Sequence, residues 1–313
     1  MAEQKNYQLK FEGKGSEYFG ILIVNWLLTL FTLGIYYPWA KVRQLKYMYG
    51  VTSIDDNHFS FHGKGMEVFI GMLKFFVAIL GMYFIVFFLM AKVPILGILL
   101  LYAVLLGILP LAIHGSMRYR MSRTTLRGIR FGYRGSRAVL IGKFIKMFLL
   151  TLVTLGVYSC WMEMKLREYV VGNVRYGEVE GDFDGNGFDF FVLFLKGYFL
   201  SLITLGIYSF WWQKDLTVYY IDNTSFHKGE EKITMESTVT GGGFFVLTIT
   251  NLLITLLTLG LGYAWVEVRT TKYIMDNINL TGDIDLSSLT QTEEEYTNAF
   301  GEGALDFFDM DLI

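Results

Sequence analysis

Cysteine is nearly absent. Cys160 stands alone in 313 residues, which excludes an intrachain disulfide and any cysteine-cluster metal site. Charge is sparse as well: Asp, Glu, Lys and Arg make up 18% of the chain, where a soluble domain carries about 25%. Acids are missing from Arg118 to Lys146, a stretch with seven Arg and two Lys, and no Lys or Arg follows Lys272. The opening MAEQKNYQLKFEGKG lacks the short apolar core and small-residue cleavage site of a signal peptide, so insertion would rely on an internal span. What fills the chain is apolar. Hydrophobic residues reach 53% and aromatics 17%, with mean hydropathy +0.41.

One phrase recurs four times: TLGIYYPW ending at Trp39, TLGVYSCW at Trp161, TLGIYSFW at Trp211 and TLGLGYAW at Trp265. In each, Trp falls five residues after Gly (Gly34, Gly156, Gly206, Gly260), an apolar run precedes, and a Lys or Arg follows. Gly after an apolar run supplies a helix end, because it takes the left-handed conformation without steric cost. Tyr and Trp suit the headgroup interface, so Trp39, Trp161, Trp211 and Trp265 are read as interface anchors. Pro38, Ser159 and Ser209 fit the start of a second helix, with a straight continuation of the span as the alternative. Gly-bounded tracts such as HFSFHGKG and IRFGYRG alternate apolar and polar residues and predict short strands.

A span needs roughly 20 apolar residues, and six stretches qualify, at about 18–37, 68–90, 94–113, 139–158, 188–208 and 243–263. The fold expected is therefore predominantly α: a polytopic membrane protein of about six spans built from internal repeats, with short extramembrane β-strands between units. The units run 1–65 (strand, span, interfacial helix, strand), 66–135 (enlarged, two spans and an Arg-rich loop), 136–187, 188–243 and 244–282, followed by an acidic tail, 283–313. With six simple crossings, sixteen cations fall on one side and nine on the other, which predicts external termini and a cytoplasmic Arg-rich loop. Re-entrant runs would instead bring all the strand tracts to one face. The tail composition predicts disorder, with docking of Leu305, Phe307, Phe308 and Leu312 on the protein's basic surface as a further expectation.

Chemistry is harder to find. Lys196, Lys146 and Lys74 fall well inside apolar runs, where an ionised group costs a few kcal/mol and usually faces protein or water. They read as an anion- or proton-handling site, or as snorkelling lysines near later helix starts. Asn25 and Asn251 sit nine residues before Gly34 and Gly260, as interhelical hydrogen-bonding residues or as part of a polar pathway. Arg118, Arg120, Arg123 and Arg127 are candidate contacts for anionic headgroups, or simply the topology signal of their side. No carboxylate–His–Cys set or nucleophile–base pair is recognisable, so no enzyme, metal or other cofactor is expected. Few stacking aromatics interleave the cations, which argues against nucleic acid.

The TLGIYYPWAKVR-type phrase, the F-x-F-x-G tract that follows it and the terminal ALDFFDMDLI resemble the YjgN-like family over essentially the whole chain. The resemblance implies a multi-pass protein of the bacterial inner membrane and carries no activity, substrate or catalytic residue onto any position. The functions expected are a small-solute transporter or channel-like permease, or a non-transporting structural or lipid-interacting envelope protein. Membrane lipids are the expected partners, with a homo-oligomer or an unidentified membrane partner left open.

Overall fold

A computed structural model describes residues 5–293. The chain begins with strand β1 (Lys5–Phe11), and five helical hairpins then alternate with short strands. The first hairpin is α1 (Gly15–Phe31) and α2 (Tyr37–Gly50), followed by β2 (Thr52–Ile54) and β3 (Asn57–Phe61). The second is α3 (Gly65–Lys92) and α4 (Pro94–Arg123), with β4 (Thr124–Leu126) and β5 (Ile129–Tyr133). Next come α5 (Arg137–Val153), α6 (Ser159–Gly172), β6 (Val174–Tyr176) and β7 (Val179–Phe183). The fourth set is α7 (Gly187–Ile203), α8 (Ser209–Asp222), β8 (Thr224–Lys228) and β9 (Glu231–Ser237); the fifth is α9 (Gly241–Leu257), α10 (Tyr263–Met275) and β10 (Ile278–Gly282).

All ten strands close one antiparallel barrel, in which β10 pairs with β1 through Lys5↔Gly282 and Gln8↔Asn279. The strands alternate as their side chains require. Tyr7, Tyr176, Val179, Ile233, Ile278 and Leu280 fill the interior, while Asn6, Gln8, Glu180 and Asn279 face solvent. This polarity is the reverse of a membrane barrel, which is apolar outside and polar within. Strands of three to seven residues also fall short of the 9–11 that a spanning strand needs.

The chain then turns under the barrel. Ile284, Leu286 and Leu289 are buried against the interior cluster, and the Tyr7 hydroxyl donates to the Ile284 carbonyl. Thr292 donates to Gly177 O at 2.6 Å, Gln291 accepts from Arg130 N at 2.7 Å, and Glu293 pairs with Arg134 at 2.7 Å. The disorder expected from position 283 onward therefore does not hold for 284–293, where apolar residues spaced among the acids pack as a plug. Leu305, Phe307, Phe308 and Leu312 lie outside the described residues.

The six-span expectation is overturned. Among the described residues only α3 and α4 are long and apolar enough to cross a membrane. The other hairpins have first helices of 17 residues, at most about 25 Å long, against roughly 30 Å of hydrocarbon. Each of these four predicted spans is broken by its own Thr-Leu-Gly. The first helix ends at the Thr; Leu33, Leu155, Leu205 and Leu259 then take φ of 50–52°, and the following Gly takes 87–95°. Gly34 N donates back to Thr29 O at 2.8 Å, and the Thr32 hydroxyl accepts from Tyr36 N at 3.0 Å, stitching the reversal to the next helix. Thr154, Thr204 and Thr258 do the same. Because both helices of every hairpin return to one closed barrel, strand tracts cannot lie on both sides of a bilayer. The two-sided charge count loses its premise.

Candidate functional site

The helices form a closed circuit. Each packs on its chain neighbours, and α10 packs on α1. The phrase Trp makes each joint between hairpins. The Trp39 indole lies where a Cβ on Gly65 would stand; Trp161 does the same at Gly187, Trp211 at Gly241 and Trp265 at Gly15. Eight residues after each Trp, a Tyr ties the hairpin to its own base. Tyr219 Oη accepts from Asn186 N and donates to Asn186 O, both at 2.8 Å. Tyr47, Tyr169 and Tyr273 make the corresponding pairs with Lys14, Ser136 and Thr240. The indoles are thus half-exposed joints, whatever else they anchor.

The polar residues singled out inside the apolar runs fall on separate hairpins and do not converge. Lys74, Lys146 and Lys196 are exposed on α3, α5 and α7. Asn25 and Asn251 are buried, each turned toward its own hairpin partner: Asn25 Nδ2 donates to Ala40 O at 3.2 Å, and Asn251 Nδ2 to Thr270 Oγ1 at 3.0 Å. In the Arg-rich region, Arg123 forms a two-bond pair with Glu67 across the second hairpin, at 3.0 and 3.2 Å. Arg127, in the β4–β5 turn, lies 3.9 Å from Asp55. Arg118 and Arg120 are half-buried near the base of α4.

A different pattern does unite the hairpins. Arg43, Lys165 and Arg269 lie nine residues after their tip glycine, and Lys146 and Lys196 ten before. Across an antiparallel hairpin these positions face one another: Lys196 Nζ lies 3.7 Å from Asp215, and Arg269 donates to Thr250 Oγ1 at 2.8 Å. All five cations are exposed. One or two residues nearer the tips on the second helices stand Lys41, Glu163, Lys214 and Glu267, and beyond these there is no charge: none between Glu17 and Lys41, Lys146 and Glu163, Lys196 and Lys214, or Glu236 and Glu267. The tip leucines Leu33, Leu155, Leu205 and Leu259 are each more than nine-tenths exposed.

The second helices carry a further polar layer that residue-by-residue reading of the spans missed. Tyr220 of α8 donates to Glu163 of α6 at 3.1 Å, and the Arg167 guanidinium lies 3.8 Å from the Tyr220 ring centroid and 3.7 Å from Glu163. Lys41 and Glu267 occupy the same place two residues after their Trp as Glu163 does. The signal was a charge at that fixed offset in three of the four phrases. His114 on α4 is also buried, edge-on to Tyr133 at 5.4 Å, and neither ring nitrogen has a hydrogen-bond partner among the described residues.

Comparison with known proteins adds a lineage. The family profile described as "Bacterial protein of unknown function (DUF898)" matches residues 6–196, 178–230 and 229–307. Inner membrane protein YjgN of Salmonella typhimurium is 32% identical over 168 residues, covering 50% of this chain and 41% of that protein. Its namesake from Escherichia coli O157:H7 is 34% identical over 131 residues, covering 42% of this chain and 32% of that protein. The match thus spans less than half the length of these curated relatives. No solved structure matches the chain.

Proposed function

Because the chain belongs to the YjgN-like family of bacterial proteins of unknown function, its role must be read from its geometry, and we propose a non-transporting, lipid-interacting protein of the inner membrane. In this reading the helical crown is inserted from one face while the barrel stays in water. The observation that carries it is the cation belt with uncharged tips beyond. Exposed Lys and Arg at equivalent positions suit the phosphate level of one leaflet. The short hairpins then extend about 10 Å of helix plus a turn past that level, ending within the hydrocarbon. The second hairpin differs in the way a crossing requires: Lys74 and Lys92 are separated by seventeen uncharged residues, about 27 Å of helix. Charge asymmetry makes the barrel side cytoplasmic, since among the described residues Lys92 is the one cation at a hairpin tip.

Site-directed labelling tests this. In a Cys160→Ser background, Lys92→Cys should react with a membrane-impermeant maleimide from the periplasmic side. Leu33→Cys, Leu155→Cys, Leu205→Cys and Leu259→Cys should react from neither side until detergent is added. Periplasmic labelling of any of the four would sink the one-face reading. The polar layer of Glu163, Arg167 and Tyr220 favours a second reading, a permease. That reading needs an aqueous route, and the barrel bore, filled by Tyr7, Tyr176 and Ile233 and plugged by Ile284, offers none. Solute flux in proteoliposomes that Glu163→Gln abolishes would establish it in place of the first.

A further inference from the structure

We propose that the groove between α7 and α8 binds the headgroup of an amine-bearing phospholipid. The site rests on the insertion reading, because that reading puts the groove at headgroup depth. The groove is shallow and open, with a volume of about 650 Å³. One wall presents Asp189, Val192 and Lys196 along α7, and the other Asp215, Val218 and Asp222 along α8. These residues recur at helical spacing, so each set lines one stripe. The exposed residues of α7 form a single arc, with Phe190 and Gly197 buried opposite, so the groove opens outward to lipid.

Charge is ordered along the groove. At the barrel rim stand Asp189, which makes no ion pair among the described residues, and Asp222, one of whose oxygens accepts from Ser237 N at 2.7 Å. Seven residues further along α7, about 10 Å in helix rise, stands Lys196. Lys196 is more than half exposed and lies 3.7 Å from Asp215, beyond hydrogen-bond distance. Asp215 is held more closely by Lys214, at 3.1 Å. Tyr208 and Asp215 are the neighbours of the Lys196 ammonium, and two partners leave one of its three donors for another anion.

A phospholipid lying against this stripe meets the groups in matching order. Its phosphate faces Lys196, its ammonium reaches outward to the Asp189 and Asp222 carboxylates, and its chains run past Lys196 over the exposed Leu195, Phe199 and Leu202. Charge-assisted hydrogen bonds at both ends favour a primary ammonium, which donates, over a quaternary one, which cannot. None of the other short hairpins carries the set. The positions equivalent to Asp189 and Asp222 are Glu17 and Gly50, Val139 and Gly172, and Gly243 and Asp276.

The test uses the full chain in nanodiscs or detergent, offered phosphatidylethanolamine, phosphatidylglycerol and phosphatidylcholine, with retained lipid counted by native mass spectrometry. Phosphatidylethanolamine should be retained about fivefold or more over each of the others. Asp189→Asn with Asp222→Asn, whose amide oxygens keep the Ser237 contact available, should erase the preference over phosphatidylglycerol. Lys196→Met should weaken retention of both lipids, and Lys228→Met, on the barrel away from the belt, should change nothing. Equal retention of the three lipids by the wild type, or a preference that survives the Asp variants, overturns the site. If the tip cysteines stay shielded in that event, the insertion reading survives; if they label, both fall.

Discussion

Gly187 opens α7 with the Trp161 indole occupying the place of a Cβ. Alanine would improve helix propensity by about 1 kcal/mol, yet it must displace a ring wedged between two helices, and overpacking of this kind costs about 1–3 kcal/mol. Gly142 sits in α5 with nothing near its Cβ position, so there only the propensity gain remains. Gly187→Ala should therefore lower the thermal midpoint and Gly142→Ala should raise it or leave it alone. Equal shifts in one direction would remove the Trp joint from the account. The glycines and the tryptophans were both legible in the sequence, but their partnership was not. Trp39 meets Gly65 across 26 residues and Trp265 meets Gly15 across the whole chain, and no local pattern encodes a contact between hairpins.

At the scale of elements, the Thr-Leu-Gly turn decides the architecture. Apolar runs of the right length were visible, and so were the starts of the second helices: α6 begins at Ser159, α8 at Ser209, and α2 has Pro38 in its first turn. Hydropathy reports length and composition and is blind to a reversal. Two consecutive left-handed residues, the first a leucine at a cost of about 1–2 kcal/mol, turn what looks like a 20-residue span into a hairpin bend. The strand tracts were legible from alternation, but their pairing order was not, because closure joins β1 to a strand more than 260 residues away. The hairpin tips also carry a prediction. A charge at a helix centre costs about 2.5–3.5 kcal/mol on insertion scales, so Leu205→Lys should drag the α7–α8 tip toward the headgroups. A reporter at Ile203→Cys, shielded otherwise, should then accept the impermeant label. Unchanged shielding would mean that this tip does not sit in hydrocarbon.

The whole molecule is a closed barrel carrying a closed circuit of helices, and its most titratable core groups are tyrosines. Burial pushes the Tyr176 phenol up to about 12, and raises Tyr7 and Tyr133 as well. Tyr176 donates to Leu126 O at 3.0 Å, a bond that requires the proton. The unfolded chain ionises its tyrosines near 10; above that pH it binds fewer protons than the folded state, so stability falls as pH rises. The contribution is complete below about pH 10 and is lost on the way to about 12. Near-UV dichroism and tyrosinate absorbance should change together across that window. Tyrosines that all ionise near 10 without loss of the fold would show that the bore is wet.

Closure also fixes a number. In an open stack of similar elements the last member leaves an edge, and another can be laid on it. Here β10 is already spoken for by β1, and the notch on Gly15 is already taken by Trp265. A duplicated hairpin would find no vacant berth and could enter only by prising apart a seam that is complete. Growth in such a chain is thereby diverted into lengthening what is present, as in the stretched α3–α4 pair, so that five is a count kept by geometry.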